Sequence, residues 1–341
     1  EVIIDPKFRK QAAPHMELSD LKELQVLGVG GFGLVTLVQH TKSQEVYALK
    51  KMQKQAIVEA DMQQMIVNEK NFLVEMNNPF VLGARGTSSD SDCVYIVLEF
   101  LQGGDLFGLL EVQDTFDDKS SRFYGACTVE ALAYVHSRNV VFRDLKLENL
   151  VLDHRGYCKL VDFGLAKLIT GRTYTVCGSP RYCAPEMVTG KGHEYGVDWW
   201  ALGIILYESL FAESPFASDC DDHLETFRNI TKSKLTFPRD TLGASKEVLD
   251  IITKLCVKKS LNRLGCLAGK AQDVKNHDWF QMDGFSWAAL EEQTMQPPWT
   301  PNCKSPTDGS NFGEVEIYEE HQHVMKYRKA KDPEAGWDEN F

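Results

Sequence analysis

The stretch "FRDLKLENLVLDHRGYCKLVDFG", Phe142 to Gly164, decides how the chain is read. Two apolar runs, "NLVLD" and "YCKLVD", flank His154–Gly156 and read as a hairpin turned at those residues. The hairpin places Asp144, Asn149 and Asp162 together at the mouth of a cleft. Two carboxylates and an amide oxygen are hard ligands suited to Mg²⁺. Asp and Asn are also ordinary turn residues, and for any one of the three alone that plainer reading wins.

Upstream, "GVGGFG" (Gly28–Gly33) fits G-x-G-x-x-G, a weak signal by itself. A dinucleotide-binding turn needs a helix directly after the last glycine. Here "LVTLVQH" follows, apolar and β-rich, so the glycines join two strands as a flap whose backbone amides can lie against phosphates. In the next strand, "EVYALKKM", Val46, Ala48 and Lys50 share one face, which turns Lys50 inward, although surface snorkelling is the usual fate of a lysine. In "DMQQMIVNEKNFLVEM" the apolar stripe runs Met62, Ile66, Leu73, Met76, and Glu69 falls on it. A carboxylate on an apolar face needs a cation, and Lys50 is the inward candidate.

Between these lies a long helical pattern, "SSRFYGACTVEALAYVHSRN", with Phe123, Cys127, Ala131 and Tyr134 on one face and Asn139 as a left-handed cap. Downstream, "GRTYTVCGSPRYCAPE" (Gly171–Glu186) is too rich in Gly, Pro and Thr for a strand or helix interior and presents the hydroxyls of Thr173, Tyr174, Thr175 and Ser179. A β-rich half followed by an α-rich half predicts an α+β fold of two lobes, with the ligand site between them.

The totals limit the alternatives. The 341 residues carry a net charge of −12 and no basic stripe with interleaved aromatics, which disfavours nucleic acid. The nine cysteines form no C-x-x-C pair, as fits reduced thiols in a cytoplasmic protein. The longest apolar run, "WWALGIILY" (Trp199–Tyr207), lies between Asp198 and Glu208 and falls far short of the ~20 residues of a membrane span. The first residue is Glu1, so the chain reads as part of something longer.

"GVGGFGLV", "YALK", "FRDLKLEN", "DFG" and "APE" occur in the order and spacing of the protein kinase signature set, and the chain resembles that family from about Leu24 to Phe280. The tail, with "PPWTP", "KSPTDGSNF" and "GWDENF", resembles the AGC group, and most of all the catalytic region of cGMP-dependent protein kinases; the cAMP-dependent catalytic subunit is the nearest alternative. A kinase-fold scaffold without activity is disfavoured, because none of Lys50, Asp144, Asn149 or Asp162 is missing.

The resemblance implies a bilobal kinase fold: a flank over 1–20, an ATP-binding lobe over 21–101, a catalytic lobe over 102–283 and an AGC tail over 284–341. It implies ATP and Mg²⁺, and protein substrates with basic residues before the target Ser or Thr. Leu27, Gly28, Gly30, Gly31, Phe32, Gly33, Val35, Ala48, Leu98 as gatekeeper, Glu99, Leu101, Asp105 and Val151 would surround ATP, and Phe312 would cover the adenine from the tail. Lys50, paired with Glu69, would hold phosphates, with Asn149 and Asp162 on the metal.

By the same resemblance, Asp144 would accept the substrate proton and Lys146 neutralise the transferring phosphate. Thr175 would be a phosphosite received by Arg143 and Lys167, Ser179 would bond Asp144 and Lys146, and Thr173 and Tyr174 would be plain surface-loop residues. Asp105, Glu148 and Glu208 would read basic substrate residues at an exposed rim. Arg181, where relatives usually carry Glu, would favour acidic or neutral residues further out. Glu186 would pair with Arg263, and Trp337 and Phe341 would dock beside the Glu69 helix. Met65 departs from a His that relatives often use to touch the loop phosphate, and Ala84 from a larger aliphatic. A cyclic-nucleotide-binding region upstream in the parent chain is the implied regulator.

Overall fold

The computed structural model describes residues 14–217, 222–239, 241, 243–313, 336–339 and 341. The chain divides into two units: Glu1–Gly104 with Asp162–Gly164 and Pro301–Phe341, and Asp105–Val161 with Leu165–Thr300.

The first unit is built on one antiparallel sheet. Its strands are β1 (Leu21–Gly30), β2 (Gly33–His40), β3 (Val46–Gln53), β4 (Ala84–Ser89) and β5 (Cys93–Glu99), in the order β1-β2-β3-β5-β4. The glycine-rich stretch is the turn between β1 and β2, with Gly30 paired to Gly33. Period-2 alternation splits β3 and β5 between two faces. Leu49, Cys93, Tyr95 and Val97 join Val38 in one apolar cluster. Ala48 and Lys50 lie opposite Leu98 and Ile96 on the other face.

Two helices follow β3: α1 (Lys54–Glu59) and α2 (Gln63–Glu75). Ile66, Glu69, Leu73 and Met76 are buried, as the helical stripe requires, but Met62 is 36% exposed. Met62 is the residue flanking the helix, with non-helical backbone, so the 3.6-residue repeat does not extend to it.

Residues of the expected flank belong to this unit. His15 bridges Thr87, Met16 N donates to Thr87 O, and Met16 and Leu18 pack on the apolar cluster. The free edge of β4 is thereby covered.

The second unit is mostly helical: α3 (Leu106–Gln113), α4 (Asp118–Ser137), α5 (Pro185–Val188), α6 (Gly196–Phe211), α7 (His223–Lys232), α8 (Lys246–Leu255), α9 (Ala271–Lys275) and α10 (Trp287–Glu291). Two small ribbons complete it: β6 (Val140–Val141) with β9 (Lys167–Leu168), and β7 (Leu150–Leu152) with β8 (Cys158–Leu160). The β7–β8 ribbon is the hairpin read from the sequence, and Gly156 turns it at φ 99°.

All sixteen residues of α6 are buried, so the "WWALGIILY" run is a core helix. Asp117 caps α4 through Ser120 N, and Asn139 takes φ 60° after it. Phe123, Cys127 and Ala131 of α4 are buried, but Tyr134 is half-buried, its ring carrying the Arg138 guanidinium at 3.6 Å.

Among the described residues no helix is long and apolar enough to cross a membrane. The eight cysteines among the described residues, including Cys127 and Cys158 of the core, are free thiols.

Candidate active site

In the first unit the β3–α2 juxtaposition brings Lys50 Nζ to 2.5 Å from Glu69 Oε1. Glu69 is 2% exposed. Burial pushes the Lys50 ammonium toward neutrality, but the Glu69 and Asp162 carboxylates outweigh it and hold the group above the ordinary lysine value. Asp162 has φ 59°, and its Oδ1 accepts from Gly164 N at 3.2 Å. Phe163 is buried and its ring lies 6.4 Å from that of Phe72. Lys50, Glu69 and Asp162 therefore form one charged group with two carboxylates for one cation.

The glycine turn sorts itself by space. A Cβ on Gly33 would stand 1.7 Å from the Lys51 carbonyl oxygen, so the fold itself demands glycine there. Cβ atoms on Gly28 and Gly31 would meet nothing within 4 Å, and one on Gly30 only Gly33 O at 3.8 Å. The fold places no steric demand against a Cβ at those three positions. Leu27, Ala48, Leu98 and Leu101 are buried; Phe32, Val35 and Glu99 are half-buried. Arg85 reaches Glu99 Oε2 at 3.3 Å. Ala84 lies opposite Leu98 beside a bulge, and Met65 is half-buried on α2.

The tail closes over the same edge. Gln102 donates to Ser305 O and Asp308 O, and Asn311 Nδ2 donates to Gln102 O at 2.9 Å. Gly309 packs on Gln25 and Leu27, and Phe312 stacks on Phe100 at 6.0 Å. Farther along, Asp338 pairs with Lys54 at 2.5 Å, and Lys70 Nζ lies 5.1 Å from the Phe341 ring, so the terminal residues sit by α1 and α2.

In the second unit Asp144 is held from several sides. Its Oδ1 accepts from Ser179 N at 3.1 Å and from Ser179 Oγ at 3.2 Å. Lys146 Nζ lies 3.4 Å from Asp144 Oδ2 and 3.3 Å from Ser179 Oγ. Asn149 Nδ2 donates to Asp144 O at 2.7 Å, which fixes the amide and leaves its oxygen as the acceptor end. Asp105 caps α3 through Gly108 N, and its backbone bridges Val151.

One organiser of this loop was missed from the sequence. Asp198, wholly buried, accepts from Phe142 N at 2.9 Å and Arg143 N at 2.8 Å and meets His136 Nε2 at 2.8 Å. The available signal was an Asp at the head of an apolar helix run, where an unpaired carboxylate is costly. It holds the backbone turn at Arg143, where φ is 73°.

Two expectations need correction. Glu208 is not on an exposed rim: it is 7% exposed, and Tyr182 donates its hydroxyl to Glu208 Oε2 at 2.5 Å. It lies on α6, whose whole length is core. Glu148 and Arg181 are exposed. Thr173 is not a plain surface residue: it is 4% exposed, bridges His193, and takes Lys167 Nζ on its hydroxyl at 3.1 Å. Thr175 and Tyr174 are exposed. Glu186 accepts a two-pronged bond from Arg263, at 2.6 and 2.9 Å.

Among the described residues no three His, Cys, Asp or Glu side chains gather as a metal site. Mg²⁺ takes one or two protein oxygens and completes its shell with phosphates and water, and each unit by itself holds a hard oxygen donor of that kind. Asp162 offers a carboxylate and Asn149 an oriented amide oxygen.

Residues 21–280 match the family model described as the protein kinase domain. The chain is 41% identical over 331 residues to "cGMP-dependent protein kinase, isozyme 2 forms cD5/T2" of Drosophila melanogaster, covering 96% of this chain and 34% of that protein. It is 37% identical to human cGMP-dependent protein kinase 2, covering 94% of this chain and 41% of the relative. It is 39% identical to mouse "cAMP-dependent protein kinase catalytic subunit PRKX", covering 99% and 92%. The chain thus spans less than half the length of the two cGMP-dependent relatives and nearly all of the third.

Proposed function

The chain belongs to the protein kinase domain family, and from that premise we propose that it transfers the γ-phosphoryl group of ATP to Ser or Thr hydroxyls of protein substrates. Similarity to the cyclic-nucleotide-dependent kinases supports the Ser/Thr class and the AGC type.

The observation that carries the proposal is the Asp144 constellation. A carboxylate pinned by Ser179 through two bonds presents its other oxygen beside Lys146 and Asn149. Asp144 orients the incoming hydroxyl and takes its proton; Lys146 offsets charge on the transferring phosphoryl group. Lys50, aligned by Glu69, holds the α and β phosphates beneath the open glycine turn. Asp162 and Asn149 would hold Mg²⁺, which supplies charge neutralisation at the phosphate oxygens when bound. Leu27, Val35, Ala48, Leu98 and Leu101 surround the adenine, Asp105 reaches the ribose, Val151 packs beneath the nucleotide and Phe312 covers it.

Glu148 and Asp105 favour substrates with nearby basic residues, and exposed Arg181 shifts the preference further out toward acidic or neutral residues. Thr175 is the phosphosite, received by Arg143 and Lys167. Control by a cyclic-nucleotide-binding region elsewhere in the parent chain, and work in the reducing cytoplasm, complete the proposal; the cGMP-dependent relatives and the free thiols support them. The boundaries 1–20, 21–101, 102–283 and 284–341 remain the proposed functional division.

The test is Mg²⁺- and ATP-dependent labelling of a Ser peptide with upstream arginines. Asp144→Asn is expected to lower kcat by roughly 10²–10⁴ with little change in KM for ATP. A variant as active as the parent removes the assignment.

A further inference from the structure

Among the buried polar side-chain atoms of the second unit that have no hydrogen-bond partner are Nη1 of Arg143 and Nε2 of His193. Orphaned buried donors are rare in folded proteins, and each calls for a missing ion, water or ligand. Both border the same segment: a Cβ on Gly178 would stand 2.5 Å from Arg143 O, and His193 bridges Thr173. Arg143 is not free to swing toward water, because its Nε donates to Leu165 O at 2.8 Å.

His193 is 3% exposed and is tied to the segment Gly171–Glu186 by two backbone bonds: Thr173 N donates to His193 O at 2.9 Å, and His193 N to Thr173 O at 2.8 Å. The Thr173 hydroxyl takes Lys167 Nζ. Guanidinium, ammonium and imidazole therefore gather around one short stretch.

The nearby carboxylates do not neutralise them. Asp198 is committed to His136 and to two backbone amides. Both oxygens of Glu186 are taken by Arg263. The missing partner is an anion with several acceptor oxygens, and a phosphate ester has three. Thr175 lies two residues beyond Thr173, at most about 7 Å along the chain from the Thr173–His193 bridge. It is exposed and so open to modification.

Resting on the reading of Thr175 as a phosphosite, we propose that His193 is a positioning residue for that phosphate: its Nε2 donor closes on the phosphate oxygens together with Arg143 Nη1 and Lys167, and the Thr173–His193 bridge locks the segment to the loop before α6. The ester forms when Thr175 Oγ takes the γ-phosphoryl group of ATP, releasing ADP and the hydroxyl proton. Sequence reasoning assigned His193 no role. Met65 stands where relatives often place a histidine for this phosphate, and His193 supplies an imidazole from a different element.

In the unmodified chain, burial and then Arg143 push His193 below the ordinary histidine value. Asp198 and Glu186 pull the other way, and Lys167 adds to the depression. A dianionic phosphate beside the ring reverses that balance.

The test compares the full chain with and without phosphate on Thr175. By NMR titration of the histidine Cε1–H signals, the His193 pKa is expected to rise on phosphorylation by about one unit or more, a tenfold gain in proton affinity. An unchanged value overturns the proposal. His193→Phe keeps a ring and removes the donor; phosphatase is expected to strip its Thr175 phosphate about tenfold faster than in the parent, and His193→Gln to restore protection by offering an N–H. Equal rates in His193→Phe and the parent also overturn it. Thr175→Ala with undiminished activity defeats the underlying reading. A protein that needs the Thr175 phosphate yet titrates His193 unchanged defeats the His193 assignment alone.

Discussion

Lys50 Nζ sits 2.5 Å from Glu69 Oε1, and the Glu69 side chain is only 3% exposed against 25% for Lys50. The two residues are nineteen apart and meet because β3 and α2 pack with their inward stripes facing. Glu69→Ala leaves the Lys50 ammonium with its other neighbour Asp162 but without its closest anion. The expected cost is about 3 kcal/mol, the low end for breaking a buried pair, together with a raised KM for ATP. Chemical denaturation and steady-state kinetics check both; a variant with unchanged stability and KM would show that the pair does neither job.

The glycines of the β1–β2 turn are expected to separate by role. Gly33→Ala forces a Cβ into the Lys51 carbonyl and should cost about 2 kcal/mol or more, in the range for backbone collision in a core. Gly28→Ala meets open space and Gly30→Ala only an ordinary contact with Gly33 O. They should hold stability within about 0.5 kcal/mol while raising KM for ATP several-fold. Equal destabilisation by all three would mean that the turn needs its glycines for folding, not for ligand approach.

Glu208 predicts a pH dependence with a definite sign. Burial raises its carboxyl; the Tyr182 hydroxyl lowers it, Glu148 raises it and Arg181 lowers it, with a net rise above the ordinary 4.5. A raised folded-state pKa means that the folded chain binds the proton more tightly. Its stability contribution is therefore complete below the unfolded value and lost as pH rises through the folded value. Glu208→Gln is always neutral and keeps an acceptor for Tyr182. The difference Tm(Glu208→Gln) minus Tm(parent) should thus grow between pH 5 and pH 8. A flat difference would remove the raised carboxyl from the account.

Arg263 is 0% exposed and spends its guanidinium on Glu186, Gly196 O and Val257 O. Arg263→Ala strands the carboxylate and two carbonyls, at about 3–5 kcal/mol. Arg263→Lys should fall between, since an ammonium cannot reproduce the fork. The urea midpoint reads the order; equal midpoints for the parent and Arg263→Ala would make the pair decorative.

Much of the fold and site was legible in the residues because it depends on local pattern. The 2-residue and 3.6-residue periods of "EVYALKKM" and "DMQQMIVNEKNFLVEM" were enough to turn Lys50 and Glu69 inward. The hairpin at Gly156 followed from two apolar runs and a turn. Where the pattern stopped short, so did the reading: Met62 fits the stripe but precedes the helix, and its exposure depends on where the first helical turn begins.

By itself, the amino-acid sequence determined the family, the division into a β-rich part followed by a helical part, and the inventory of charged groups able to handle phosphate. Only the tertiary structure decided which of those groups are buried and what they are committed to. Glu208 looked like a rim acid until α6 was seen to be wholly interior. Thr173 looked like a loop hydroxyl until His193 paired with its backbone, and Asp198 looked like the polar edge of an apolar run until the His136 ring of α4 and two backbone amides after β6 converged on it. The reason is physical. Periodicity reports which face of its own element a residue occupies, whereas desolvation and hydrogen-bond partners depend on elements far away in the chain.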